Sequence, residues 1–261
     1  MPSFELTPIA ALKVPRNQTA AMQLIQLYAQ SGHVYWTSGI VQRGKLKRFL
    51  EKLASYRLDR DKPGRVYDKS RGIASVHLVI LDSPDNLLHW VLVSTKGKHG
   101  LIDPDAPQVG VVQDTRLAGQ HLRWLHYELL HAPKVIKRTR VIKFKQDRDG
   151  RLQDVEEART ETVRQTTWSW RMTPARAREH EALIVARAKQ RDRPGLSAEL
   201  QALAMMPLFS GVRGQVLKLY SEAKKLAGKF KLDPLDPPQL PYMVKLPVYD
   251  TPPQTLAGLL H

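Results

Sequence analysis

The sequence predicts an α+β fold, and three observations carry that expectation. HVYWTSGIV, ASVHLVILD and LLHWVLVST are rich in β-branched and aromatic residues and read as strands. Leu46, Phe49, Leu50 and Leu53 in KLKRFLEKLASY recur at i, i+3, i+4 and i+7, the stripe of an amphipathic helix. The second half then changes texture, to Ala-, Leu- and Arg-rich runs of helical character.

Taken in order, TAAMQLIQLYAQSG puts Ala21, Leu24, Ile25 and Tyr28 on one helical face, with Gly32 as its stop. The strand HVYWTSGIV follows, then the KLKRFLEKLASY helix, with Lys45, Lys47, Arg48 and Lys52 off its apolar stripe. RLDRDKPGRVYDKSRG is polar, basic and Gly/Pro-bearing, and is predicted to be a loop. ASVHLVILD and LLHWVLVST are joined by SPDN, a hairpin signal. KGKHGLIDPDAPQVG is a second basic loop. A helix is expected around Asp114 to Leu122, and WLHYELLHA reads as a further strand. The resulting order, β-α-β-β-α-β, is that of a ferredoxin-like sheet.

VIKRTRVIKFK and TETVRQTTWSWRM, around QDRDGR, predict a long basic β-hairpin. Thr173-Pro174 is an N-cap followed by proline at the first helical position. Helices are expected over ARAREHEALIVARAKQRDR, LSAELQALAMM and GVRGQVLKLYSEAKKLAGKF. The organisation expected is a sheet domain with its N-terminal helix over 1–132, the basic hairpin over 133–172, a mainly helical region over 173–232 and a Pro-rich irregular tail over 233–261.

Charge points to a class of ligand. Lys and Arg number 41 against 25 Asp and Glu, a net charge of +16 over 261 residues. A surplus of that size calls for a polyanion, and nucleic acid leads. An acidic membrane surface ranks second, but the sequence holds no long apolar segment and no basic amphipathic helix at its end. The first residues lack the apolar core of a signal peptide, and cysteine is absent, so disulfides and thiolate metal sites are excluded. A cytoplasmic protein with no cofactor is expected.

Candidate residues follow from what nucleic-acid chemistry needs. Lys69, Lys96 and Lys98 in the two basic loops, with Lys45, Lys47 and Arg48, are expected to neutralise phosphates. Lys137, Arg138 and Arg140 do the same on the hairpin. Arg164, Arg171, Arg176, Arg178, Arg187 and Arg213 extend that surface into the second half. Trp168 and Trp170 share one face of a strand, where an exposed pair would stack unpaired bases and a buried pair would be core, the commoner outcome. Metal-free RNA cleavage needs a base near the ribose 2′-hydroxyl and cations around the phosphorane-like transition state. His33 and His99 are the candidate proton carriers, and Arg60, Arg65 and Arg71 the candidate stabilisers of the phosphate. His77 and His89, inside the hairpin, read as structural. Phe209 to Gln215, FSGVRGQ, reads equally as a phosphate-wrapping turn or as a helix start with glycine freedom.

The sheet half, HVYWTSGIV–helix–ASVHLVILD–LLHWVLVST, followed by a basic second half, resembles the repeat-RNA processing endoribonucleases of CRISPR systems, in their plasmid-borne type IV variety. FSGVRGQ is a loose counterpart of that family's C-terminal Gly-rich loop. The resemblance implies a metal-independent endoribonuclease that cuts CRISPR precursor RNA beside a repeat stem-loop and stays bound to the product. Its partners would be structured RNA and the other subunits of a CRISPR ribonucleoprotein complex. The alternative reading is a non-enzymatic DNA- or RNA-binding protein of a mobile element, acting in replication, partition or transfer.

Overall fold

The structure, a computed structural model, describes residues 7–146, 150, 152–237, 239–241, 243 and 245–260. Side chains are described for these except 7–8, 133–146, 152–159, 161 and 164–165. The fold is α+β. The chain divides into two compact units: Met1–Leu130 with Ser169–His261, and His131–Trp168.

The first unit is built on a four-stranded sheet. Its strands are β1 (Tyr35–Gln42), β2 (Val76–Asp82), β3 (Leu87–Ser94) and the short β4 (Gln113–Asp114). Their spatial order is β2-β3-β1-β4, all antiparallel, with Trp36 opposite both Val93 and Gln113, and Ile80 opposite Trp90. The strand expected as the fourth, WLHYELLHA, does not join this sheet; the two-residue β4 stands beside β1 instead. The expected second helix is not formed: Asp114 is strand, and the residues after it turn through Gly119 at φ 80°. An aspartate and a left-handed glycine five residues apart end a helix before it can propagate.

Both faces are covered over β2 and β3, as their near-continuous apolar runs require, while Ser38, Ile40 and Gln42 of β1 are exposed. On one side α1 (Thr7–Ala10) and α3 (Leu46–Lys52) lie over Val76, Ile80, Leu88, Trp90 and Leu92. Leu46, Leu50 and Leu53 are wholly buried there, and Phe49 meets Trp90 at 4.9 Å between ring centroids. On the other side α2 (Gln18–Gln30) packs against β2 and β3, capped by Asn17, whose side chain accepts from Ala20 N at 2.9 Å. The tail closes the first side. Val14 N donates to Gln254 O and Leu256 N to Leu12 O, which brings Leu256 and Leu259 into the core.

RLDRDKPGRVYDKSRG is not a loop throughout: Lys62–Ser70 form α4. Asp61 caps it by accepting from Gly64 N at 2.9 Å, and Pro63 sits in the first turn, where its missing N–H costs nothing. The glycine and the dense charge concealed that start.

WLHYELLHA is divided between two strands, β5 (Leu122–Trp124) and the start of β6 (Tyr127–Gln146), joined through Leu125 at φ 54°. β6 pairs β5 on one side and β7 (Leu152–Met172) on the other, giving the long hairpin. Helices α5 (Pro174–Lys189), α6 (Arg193–Ala204) and α7 (Ser210–Lys229) pack through Ile184, Leu196, Leu203, Val212 and Val216, all at or near full burial. They belong to the same compact unit as the sheet. Trp170, wholly buried, ties them to it by donating from Nε1 to Met22 O at 2.9 Å.

Candidate nucleic-acid interface

Two sequence-distant basic loops meet at one edge of the sheet. Lys98 N donates to Gly72 O at 3.0 Å, Ala74 N to Lys98 O at 2.8 Å, and Thr95 N to Ser75 O at 3.0 Å. The loop after β3 is thereby fixed against the segment that follows α4. Gly97 makes this approach possible. Its φ is 145°, and a Cβ there would stand 2.6 Å from Gly72 O and 2.7 Å from Ala74 N. Lys69, Arg71, Lys96, Lys98 and His99 all come to this junction on exposed residues. Among the described residues no ion pair or hydrogen bond engages the Lys69, Lys96 or Lys98 side chains. Arg71 lies over the Tyr67 ring, 5.6 Å from its centroid. His99 takes a left-handed φ of 59°, held by its own N–H on Asp103 Oδ2 at 2.5 Å. Asp103 accepts from Asp105 N as well, so these two backbone bonds hold its carboxyl below the usual range.

Beneath this surface lies a second, half-buried cluster, of which His33 is the buried member. Tyr28 of α2 stacks on His77 of β2 at 3.8 Å between centroids, and His33 meets His77 edge-on at 4.7 Å. Arg65, on the inner side of α4, donates to His77 Nε2 at 3.2 Å, Ser75 Oγ at 3.2 Å and three carbonyls, those of Leu58, Arg60 and Val76. A guanidinium only donates, so His77 Nε2 is the acceptor and the ring proton sits on Nδ1. His33 Nδ1 lies 3.0 Å from Tyr28 O, which only accepts, so His33 is the Nδ1–H tautomer also, with Nε2 buried and unpartnered. Burial is the main force holding both rings neutral: it lowers His33 to about 4, and, with the Arg65 charge behind it, His77 to about 2. Burial likewise raises the Tyr28 phenol.

Asp68 completes the underside. Its carboxylate, 5% exposed, takes Arg60 Nε at 3.1 Å and Arg57 Nη1 at 3.2 Å. The Arg60 hydrogen bond leads in holding it below the ordinary carboxylate range.

The expected site residues therefore separate. His33 and Arg65 do come together, His33 buried and Arg65 half-buried, with their hydrogen bonds directed inward. Arg60 is committed to Asp68. His33 is thereby corrected as an accessible proton carrier, and Arg60 and Arg65 as groups free to meet a phosphate. Arg71 and His99 are exposed and stand on the two joined loops. His77, read as structural, touches both Arg65 and His33. Tyr67, 58% exposed beside Arg71, was missed; an aromatic within a lysine- and arginine-rich run was its available signal.

Elsewhere, Lys45, Lys47 and Arg48 are exposed at the start of α3. Arg176 pairs with Glu179 at 3.0 Å and Arg187 with Asp192 at 2.7 Å, while Arg178 Nε reaches Pro174 O. Arg171 pairs with the buried Glu128 at 2.5 Å. The Trp platform is overturned: Trp170 is wholly buried, and Trp168, 8% exposed, stacks on His131 at 4.7 Å. FSGVRGQ is a packing joint. A Cβ on Gly211 would stand 2.4 Å from Trp170 O, Gly211 N donates to Ser169 Oγ, Gln215 brackets the Met172 backbone, and Arg213 reaches Leu240 O. The side chains of Lys137, Arg138, Arg140 and Arg164 lie outside the described residues.

Comparison with protein-family models, curated proteins and solved structures found no match. Among the described residues no group of three or more His, Asp or Glu is arranged to hold a metal, and no helix is long and apolar enough to cross a membrane.

Proposed function

We propose that the protein is an endoribonuclease that cuts structured RNA without a metal, CRISPR precursor RNA beside a repeat stem-loop being the substrate its resemblance implies. One observation supports this most: the two basic loops are hydrogen-bonded together, which gathers Lys69, Arg71, Lys96, Lys98 and His99 at one exposed edge. Lysines at that edge neutralise phosphates and release counterions. In the cleavage step the ribose 2′-oxygen attacks the adjacent phosphorus while its proton passes to the His99 imidazole. Arg71 and Lys98 balance the charge that develops on the phosphoryl oxygens. The 5′-oxygen departs with a proton from solvent, leaving a 2′,3′-cyclic phosphate and a 5′-hydroxyl. Retention of the product, association with other subunits of a ribonucleoprotein and a cytoplasmic site of action belong to the same proposal.

A second reading is favoured by the burial of His33 and by the inward commitment of Arg60 and Arg65. These leave fewer reactive groups at the surface than an acid–base pair would use. On that reading the protein binds nucleic acid for a mobile element and cuts nothing. Incubating it with end-labelled repeat stem-loop RNA, with chelator present, separates the two. Cyclic-phosphate product that disappears in His99→Ala supports the nuclease. RNA that is retarded but intact overturns it in favour of the binder.

A further inference from the structure

We propose that the outer face of α4 is a stacking platform for an unpaired nucleobase, with Tyr67 as the receiving ring. This rests on the nucleic-acid reading of the loop junction and deepens it: the ligand there includes a single-stranded stretch. Lys62, Pro63, Val66, Tyr67 and Ser70 line one open concavity, on positions i, i+1, i+4, i+5 and i+8 of the helix. Val66 is 67% exposed and Tyr67 58%. A single exposed apolar side chain is ordinary; two adjacent ones at the centre of a cationic helix are not accounted for by packing. The Arg71 guanidinium covers one side of the Tyr67 ring, with Nη1 3.5 Å from its hydroxyl. At 58% exposure, more than half of the Tyr67 surface is open to solvent. A base laid there completes an arginine–tyrosine–base stack, and Lys62 and Lys69 lie within the same helix to meet the flanking phosphates.

The platform is held rigidly. A helix of nine residues is marginal by itself, but Asp61 caps this one, and Arg65 and Asp68 bind it from beneath. A base therefore meets a surface that loses little freedom on binding. Charge complementarity selects the occupant: the rim is lysine and arginine, which suits a sugar–phosphate chain and repels a second copy of this basic chain.

The test measures binding of fluorescein-labelled single-stranded U12 and of a blunt 12-base-pair RNA duplex, by anisotropy, to the wild type, Tyr67→Ala and Tyr67→Phe. Tyr67→Ala is expected to raise the Kd for U12 about tenfold, within roughly 5- to 100-fold, and to leave the duplex within about twofold. Tyr67→Phe keeps the ring and is expected to stay within about twofold on both. Equal affinity of wild type and Tyr67→Ala for U12 overturns the platform, and so does an equal loss on single strand and duplex. A Tyr67→Ala effect seen only as a change in oligomeric state, read by light scattering, overturns it in favour of self-association. Failure of the wild type to bind either RNA at low salt overturns the nucleic-acid reading itself.

Discussion

The two sides of α4 carry arginines with opposite fates. On the inner side Arg65 spends its donors on Ser75, His77 and three backbone carbonyls, and Asp68 gathers Arg57 and Arg60. On the outer side and just beyond it, Lys62, Lys69 and Arg71 stand exposed around Tyr67. All of them come from one run, RLDRDKPGRVYDKSRG. A positive residue in a basic run is therefore no guide to function until its hydrogen bonds are counted. A saturated guanidinium holds the scaffold, and only one with donors to spare can meet a phosphate.

Substitutions on the two sides should separate stability from binding. The largest effect is expected from Arg65→Ala, which strands three carbonyls and His77 Nε2. Unfolding stability should fall by about 3–4 kcal/mol in a urea titration. A loss under about 1 kcal/mol would mean that Arg65 does not hold α4 to the sheet.

Acid should act on the same inner side. His33 and His77 have folded pKa values below the unfolded value, so the unfolded chain takes up protons first as pH falls. Their contribution is complete above about pH 6.5 and is lost progressively below it, down to about 4 for His33 and about 2 for His77. Asp68 adds to this only at lower pH, since its depressed carboxyl favours the folded state above the unfolded carboxylate pKa and ceases to as pH falls through the folded one. Stability at pH 5 should lie about 2–4 kcal/mol below that at pH 7. Equal urea midpoints at the two pH values would contradict the neutral His33–His77 pair.

Gly97→Ala addresses the joint between the loops. It forces a side chain into a φ of 145° and against the Gly72 and Ala74 backbone. A stability loss of about 2–3 kcal/mol is expected, together with weaker RNA binding. Unchanged binding would detach the loop junction from the site. The smallest effect on folding belongs to the outer side. Lys69→Gln, Lys96→Gln and Lys98→Gln combined should leave stability within about 0.5 kcal/mol yet reduce the salt slope of stem-loop binding by about 2.

The parts of the fold legible in the sequence were those set by local periodicity. The Leu46–Leu53 stripe, the SPDN hairpin, the Thr173-Pro174 start and the long basic hairpin each carry their signal within a few residues. What escaped depended on partners far along the chain. α4 looked like a loop because Gly64 weakens it, and its stability comes from Arg65 reaching β2. His33 and His77 stand 44 positions apart and meet only once α2 packs on the sheet. The strand period placed Trp168 and Trp170 on one face, but period alone does not say whether that face is covered. Charge marked the two segments that meet at the loop junction, while the division between Arg65 and Arg71 required the fold.

The most direct test is lysine acetylation footprinting with and without repeat stem-loop RNA. Protection of Lys62, Lys69, Lys96 and Lys98 is expected, with Lys224 and Lys225 on α7 modified equally in both states. Unchanged modification of those four, or protection confined to α7, would contradict a nucleic-acid site at the junction of the two loops.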